Sequence, residues 1–365
     1  MRFKKPQILK KYGKSSESLR EIKKAYFDDI ELLVKREIET CDYYRQQKTR
    51  EKCKNCNHKL SKTADFTKYD VGFVFCEKCN HLNGQYEDTN EFHNFIYTAD
   101  GGERFQDQGG YVIDNESEYL HRVNSIYVPK AEFLYTSVLS DGGTPNNLSF
   151  FDFGAGSGYF LRALKSFGIN NLQGSDVSKI QVKFGNEINK QRLLKIHNHD
   201  QTINILKSLK VDVLSLLGVL EHLKDPAEAL SAISTNKNIK YVFISLPMFS
   251  LAVVFELLFP ESFNRQLQLS CGHTHLYTEE SINYFINKFK FQRIAEWRFG
   301  TDIVDLHRHT QVYIKKINSS AVFNRYVDQK MKSLIDDLQL EVDKKDFTSE
   351  IQLVLNNKHS QKEIS

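Results

Sequence analysis

Cysteine is scarce in this sequence: six among 365 residues, too few to staple a secreted disulfide scaffold of that length. An apolar leader is missing as well. The first residues, MRFKKPQILKKYGK, are basic, but the ~7–15 residue hydrophobic stretch of a signal peptide does not follow. Nor is there a long uninterrupted apolar run. The most apolar window, Phe243 to Pro260, contains Pro247 and Glu256, and an ionised Glu at bilayer depth is costly. That window reads as a buried strand followed by a short helix, not as a membrane span, and the expected compartment is the cytoplasm. Internal repeats and low-complexity tracts are absent too, and the composition excludes a collagen-like fibre.

What is present is ordinary for a soluble globular protein: 26% charged and 12% aromatic residues. At ~100–200 residues per domain the length predicts two domains, or one large domain with appendages. Charge is balanced overall, 50 Lys/Arg against 46 Asp/Glu, but not along the chain. Residues 1–60 carry 17 basic and 9 acidic side chains, a surplus of 8, which leaves −4 for the remainder. Such an end suits nucleic acid or an anionic substrate, and equally a solvated helix face that offers counter-charge to thiolates.

From Ser18 a capping-box pattern (Ser18, Glu21) opens a helical period through Leu19, Ile22, Tyr26, Ile30 and Leu33. It predicts a helix to about Tyr44 within an N-terminal helical segment, 1–49. A four-cysteine module follows at 50–82. Residues 83–147 are aromatic and dotted with glycine, include a helix around Val128–Ser140, and end in the boundary signal DGGTPNN. From 148 to 317 apolar strands alternate with helices. Strands are expected near 148–153, 171–175, 193–197, 211–217, 240–246, 291–299 and 310–316. Helices are expected near 158–167, 178–190, 201–209, 226–234 and 278–288. This is the pattern of an α/β fold with a parallel sheet covered on both faces; 248–277 interrupts it as a lid-like insertion. Residues 318–365 read as a helical tail, with Phe323, Val327, Met331, Leu334 and Leu338 on one face.

Cys53-Lys-Asn-Cys56 and Cys76-Glu-Lys-Cys79 form two CxxC knuckles separated by 19 residues, the spacing of a tetrahedral four-sulfur zinc site. Lys52, Lys54 and Lys78 stand close enough in sequence to ease thiol deprotonation. Four thiolates close the coordination shell, so the zinc is expected to be structural. Cys41 and Cys271 fall outside the pattern.

The segment Ser149-Phe-Phe-Asp-Phe-Gly-Ala-Gly-Ser-Gly-Tyr-Phe-Leu is an apolar strand, a glycine loop and a helix start. Glycines there let the backbone pass beneath a nucleotide-like ligand and turn sharply. A dinucleotide fingerprint needs Gly or Ala where Tyr159 stands, and no Lys-Ser/Thr pair follows for a P-loop. Twenty residues beyond Gly156, the second strand ends at Asp176, positioned to bind ribose hydroxyls. The third ends at Asp200, a candidate for an adenine amino group. The fourth leads into Leu-Gly-Val-Leu-Glu-His-Leu at 217–223.

Asp152-x-Gly154-x-Gly156-x-Gly158 resembles the S-adenosylmethionine loop of class I methyltransferases, and the fourth-strand ending resembles that of many small-molecule members. The resemblance, over about 120–316, implies a Rossmann-like seven-stranded sheet with its last strand antiparallel. It implies a cofactor pocket built from Asp152, Gly154, Ala155, Gly156, Gly158, Tyr159, Asp176, Val177, Asp200, Leu217 and Gly218. A four-cysteine head before such a domain is similar to that of the sugar C-methyltransferases. Cys271-Gly-His-Thr-His-Leu-Tyr likewise resembles a Glu-His segment of those enzymes, with His273 and His222 aligned to family histidines. Gly272 stands where the family has glutamate and Gly218 where it has asparagine, which favours O-methyl over C-methyl transfer. The expected acceptor is a sugar or nucleotide-sugar.

A hydroxyl acceptor needs a general base, and histidine is best matched near neutrality. His222, His273 and His275 are the candidates, with Glu221 to orient one of them. Tyr111, Tyr119 and Tyr127 either wall the acceptor pocket or pack in the core. Two other readings stay open. Some ribosomal RNA methyltransferases also place a zinc module before a class I domain, although no Asn/Asp-Pro-Pro-Tyr element follows the fourth strand here to hold a flipped base. The other is a non-enzymatic cofactor-binding or zinc-ribbon interaction module.

Overall fold

The computed structural model describes residues 8–17, 20, 30–97, 115–317 and 319–358. The first half of the expected N-terminal helix and Tyr111 lie outside these residues. In chain order the strands are β1 (Leu9–Tyr12), β2 (Phe66–Lys68), β3 (Val71–Phe75), β4 (Leu82–Gly84), β5 (Phe150–Phe153), β6 (Leu172–Asp176), β7 (Leu194–Ile196), β8 (Val213–Leu217), β9 (Tyr241–Pro247), β10 (His275–Leu276), β11 (Phe291–Phe299) and β12 (Glu350–Asn357). Helices Tyr159–Ser166, Lys179–Ile188, Thr202–Ser208 and Pro226–Thr235 separate β5 to β9.

The main sheet has eight strands in the order β1-β11-β12-β9-β8-β5-β6-β7. β5 to β9 pair in parallel, and β12 runs antiparallel to both neighbours. This is the Rossmann-like methyltransferase sheet with its one reversed strand, extended at the edge by β1, which pairs in parallel with β11. Runs such as VLSLL and YVFISLP are buried on both faces, as a sheet covered by helices on each side requires.

The reversed strand lies elsewhere than expected. Residues 302–316 form a helix, with Asp302 and Asp305 in its first turn and Lys315 and Lys316 in its last, matching the helix dipole. Its buried residues include Ile303, His307 and Ile314, a helical spacing that the short alternation around Val312 and Ile314 imitates as a strand. The tail is helical at Ala321–Lys332 and Ile335–Lys344 and then returns as β12. Ile351, Leu353, Val354 and Leu355 are fully buried, so this strand shows no alternation and reads as more tail.

Residues 248–277 are not a lid. β10 pairs with β4 and extends the antiparallel sheet β10-β4-β3-β2 of the N-terminal module. Buried Glu37, on the helix Ile30–Tyr44, accepts the backbone N–H groups of Leu269 at 2.8 Å and Ser270 at 3.0 Å. Buried Lys68 donates to Glu256 at 2.6 Å and to Asn264 Oδ1 and Leu267 O at 2.8 Å. A charge out of water is tolerable only when so partnered, and these bonds clamp the insertion between the module and the main sheet. Asp88 does the same nearby, taking Arg50, Lys54 and the Thr274 hydroxyl. The apolar window becomes β9 and the helix Leu251–Leu258, and among the described residues no helix is long and apolar enough to cross a membrane.

Truncation before residue 350 removes an interior strand and is expected to abolish soluble folded protein, whereas loss of a mere tail would be tolerated; solubility and circular dichroism distinguish the two. Leu353→Ala in the full chain should cost about 2–5 kcal/mol in urea unfolding.

Candidate active site

β5 ends in a loop whose three glycines all have left-handed backbones: Gly154 at φ 73°, Gly156 at 52° and Gly158 at 74°. A Cβ on Gly154 would overlap the side chain of Val219, while the space above Gly156 is open. Gly156 N–H donates to Asp176 Oδ2 at 2.8 Å, and Ser178 N–H donates to Asp176 Oδ1 at 2.8 Å. The carboxylate at the tip of β6 thus ties the loop to the next strand and keeps lone pairs on both oxygens for a ligand. Burial raises the Asp176 carboxyl above its ordinary value, opposed by the N–H groups of Ser178 and Gly156.

A cavity of about 600 Å³ opens over this loop. Asp152, Gly154, Ala155, Gly156, Tyr159, Asp176, Val177, Leu217 and Gly218 all line it. Gly158 caps the helix behind it. Asp152 accepts the Ser215 hydroxyl at 2.6 Å; burial pushes its carboxyl up to about 7, with the hydroxyl working the other way. Asp200 is not on the cavity wall. β7 stops at Ile196, and the chain turns early enough that His197, Asn198 and His199 face the cavity instead. Tyr127 lines the cavity and stacks on Tyr159 with ring centroids 5.3 Å apart. It ends a π turn, Val123–Tyr127, that breaks the helix running from Glu116 to Ser140. Pro129, which has no N–H to donate to the preceding turn, stands just after it. Tyr119 packs in the core. It stacks on Tyr159, donates to Ser157 O and accepts from Asn189.

The far end of the cavity holds His222, whose Nδ1 lies 3.0 Å from the Tyr97 hydroxyl. Burial holds the His222 imidazole well below its ordinary value, and the same cause takes His273 down to about 4. Both rings are neutral at physiological pH. Glu221 is buried beneath them, with Oε1 at 4.0 Å from His222 Nε2, and burial pushes its carboxyl up to about 8. His273 lies beside His222 with the rings tilted by 35° and bonds Gln266 O through Nδ1. His275 is away from this group: fully buried on β10, it bonds His81 at 2.8 Å and packs against Tyr277. Strand pairing of β10 with β4 turns it into the seam between the two sheets, so it is not available as a base.

Sequence reading missed Tyr97 and His199. Tyr97 stands four residues after His93 on the helix Asn90–Tyr97, a spacing that puts both rings on one face and was the available signal. A Cβ on Gly272 would overlap the Tyr97 hydroxyl. The space a glutamate side chain would occupy there is filled by tyrosine.

Cys53, Cys56, Cys76 and Cys79 converge as expected, with all four sulfurs within 4.8 Å of one another. The Cys53–Cys79 and Cys56–Cys76 separations are 3.7 and 3.4 Å, close to the ~3.8 Å edge of a tetrahedron with metal–sulfur bonds of about 2.3 Å. Each knuckle closes on an asparagine with left-handed backbone, Asn57 and Asn80. Asn55 and Asn83 direct amide N–H groups at Cys79 and Cys53 sulfurs. Of the three lysines expected to ease thiol deprotonation, Lys54 is committed to Asp88 instead.

Residues 119–295 match the family described as Methyltransferase domain. The protein is an S-adenosylmethionine-dependent methyltransferase. No curated protein matches the sequence. Among solved structures, this methyltransferase is similar to the magnesium protoporphyrin IX methyltransferase of Synechocystis PCC 6803, at 14% identity over 73% of this chain and 97% of that one, with a TM-score of 0.42. It is also similar to a SAM-dependent methyltransferase of Archaeoglobus fulgidus, at 17% identity over 62% of this chain and 94% of that one, with a TM-score of 0.34.

Asp152 gives a sign for pH dependence. Its folded carboxyl, at about 7, lies above the ordinary value of 3.8, so the ligand-free protein takes up a proton on folding between those values and loses this contribution as pH rises through that window. Thermal unfolding of Asp152→Asn should lack that part of the decline, leaving the variant more stable than wild type above pH ~7.

Proposed function

We propose that this methyltransferase acts on a hydroxyl of a sugar or nucleotide-sugar. The observation that carries the reading is one cavity with two chemically different ends, a glycine loop with Asp176 at one and His222 with Tyr97 at the other. S-adenosylmethionine supplies, when bound, a methyl group already activated on a sulfonium.

The residues present fit that cofactor. Asp176 has lone pairs left for the two ribose hydroxyls, and Asn198 and His199 take the adenine side that Asp200 does not reach. Asp152, buried beside the loop, offers a carboxylate to an amino-acid ammonium. Tyr127 and Tyr159 supply a flat wall. At the other end, holding an acceptor hydroxyl in line with the methyl can supply ~7–11 kcal/mol of the barrier. The hydroxyl's proton leaves at the imidazole side, where neutral His222 faces the cavity.

A sugar is supported by the rings at this end, Tyr97 and His222, which pair flat apolar faces with polar edges. O-methyl transfer is supported by Gly272, over which Tyr97 leaves no room for the glutamate of the carbon-acid enzymes. The four cysteines suit a structural Zn²⁺, whose closed shell leaves no position for substrate. RNA remains the competing acceptor because of the 8 surplus positive charges in residues 1–60.

Incubation with cofactor labelled in its methyl group, offered nucleotide-sugars or ribosomal RNA, decides the acceptor. Label on the sugar nucleotide is expected, and label on RNA alone would replace this reading with the other. His222→Ala should lower turnover by ~10²–10⁴-fold while leaving S-adenosylhomocysteine binding unchanged in calorimetry. Asp176→Ala should abolish that binding. Purified protein should retain zinc, and Cys76→Ser should lose both the metal and thermal stability.

A further inference from the structure

Three groups that commonly ligate metals converge beside the cavity. One carboxylate oxygen of Glu221 and one ring nitrogen each of His222 and His273 lie within 4.8 Å of one another. They come from two separate segments: the turn Leu220–His222 after β8, and the loop before β10. The hydrogen bonds of the imidazoles point away from the group. His273 Nδ1 is 3.0 Å from Gln266 O; a carbonyl only accepts, so Nδ1 carries the ring proton and Nε2 keeps its lone pair. The His222 ring is held from its Nδ1 side by Tyr97 at 3.0 Å, while its Nε2 is 4.0 Å from Glu221 Oε1. Glu221 is buried, and its Oε2 has no hydrogen-bond partner, a costly state for a carboxylate oxygen removed from water.

A carboxylate facing imidazole nitrogens at such distances is held together by a proton or by a cation lying among them. Two imidazoles, each fixed from behind by an outer hydrogen bond, together with one carboxylate are a donor set suited to divalent transition metals. Three protein ligands also leave open positions, and His222 lies on the cavity wall. The geometry points to a second metal centre, distinct from the four cysteines, in which Glu221, His222 and His273 bind a divalent transition-metal cation at the acceptor end of the cavity. Its use rests on the reading of that end as the acceptor end and specifies the means: a cation there acidifies a hydroxyl that ligates it, the proton leaves to solvent through the cavity, the sulfonium methyl passes to that oxygen and S-adenosylhomocysteine is released, with the imidazoles serving as ligands in place of a free base.

Cobalt(II) is the probe. The full-length wild-type chain, Glu221→Gln and His273→Ala are equilibrated with it, and bound metal per chain is counted. Wild type should hold one equivalent more than either variant, with affinity for that equivalent reduced more than ~100-fold, beyond the ~10–100-fold lost when an outer-shell partner is removed. S-adenosylhomocysteine should bind all three proteins alike, which verifies that the variants fold. Equal metal counts in wild type and a cofactor-binding variant overturn the site. A differing count in protein that binds no S-adenosylhomocysteine keeps the metal centre and overturns the methyl-transfer reading instead.

Discussion

The bond from Gly156 N–H to Asp176 Oδ2 is the constraint on which the cavity depends. It joins the loop after β5 to the tip of β6, two parallel strands paired side by side, and it requires both a backbone with positive φ and a carboxylate one strand away. Parallel strands all point their carboxyl ends to one edge of the sheet, so the loops after β5, β6, β7 and β8 meet there. Burial of Asp152 and Asp176 in the same corner raises both carboxyls. The ligand-free site therefore stores an electrostatic preference for a partner that is cationic or rich in hydroxyl donors.

The second wall of the cavity comes from outside the methyltransferase sheet. Tyr97 ends a helix of the N-terminal module, and Gly272 lies in the insertion that the module holds through Glu37, Lys68 and Asp88. The four cysteines shape β3 and β4, β4 pairs with β10, and β10 sets the loop that carries His273. A metal held by the four cysteines would act on the Tyr97 and His222 part of the cavity through strand pairing, from outside the cavity itself. His81, His275 and Tyr277 fill the seam in between.

Much of the site was legible because its signals are local. The glycine loop needs three closely spaced residues with positive φ, and each CxxC knuckle closes within a few residues on its own asparagine. The alternation of apolar strands and helices from β5 to β9 was equally plain, because each element has its own period. β12 was illegible for the opposite reason: a strand buried on both faces has no alternation, and here it follows two amphipathic helices that suggest continuation. Asp200 falls off the cavity wall because the exact residue at which β7 stops depends on pairing with β6.

By itself the sequence determined the glycine loop, the carboxylate at the end of β6, the four-sulfur cluster and the α/β class, all consequences of spacing along a contiguous stretch. Only the tertiary structure decided that Tyr97 rather than a glutamate stands over Gly272, that His275 is core while His222 faces the cavity, and that the apparent lid is a clamp. Those outcomes hang on contacts such as Lys68 with Glu256, 188 positions apart, and Glu37 with Leu269, 232 apart. Pairings at that separation leave no period or motif in the chain, because what selects them is the need to partner buried charge once the sheets have come together.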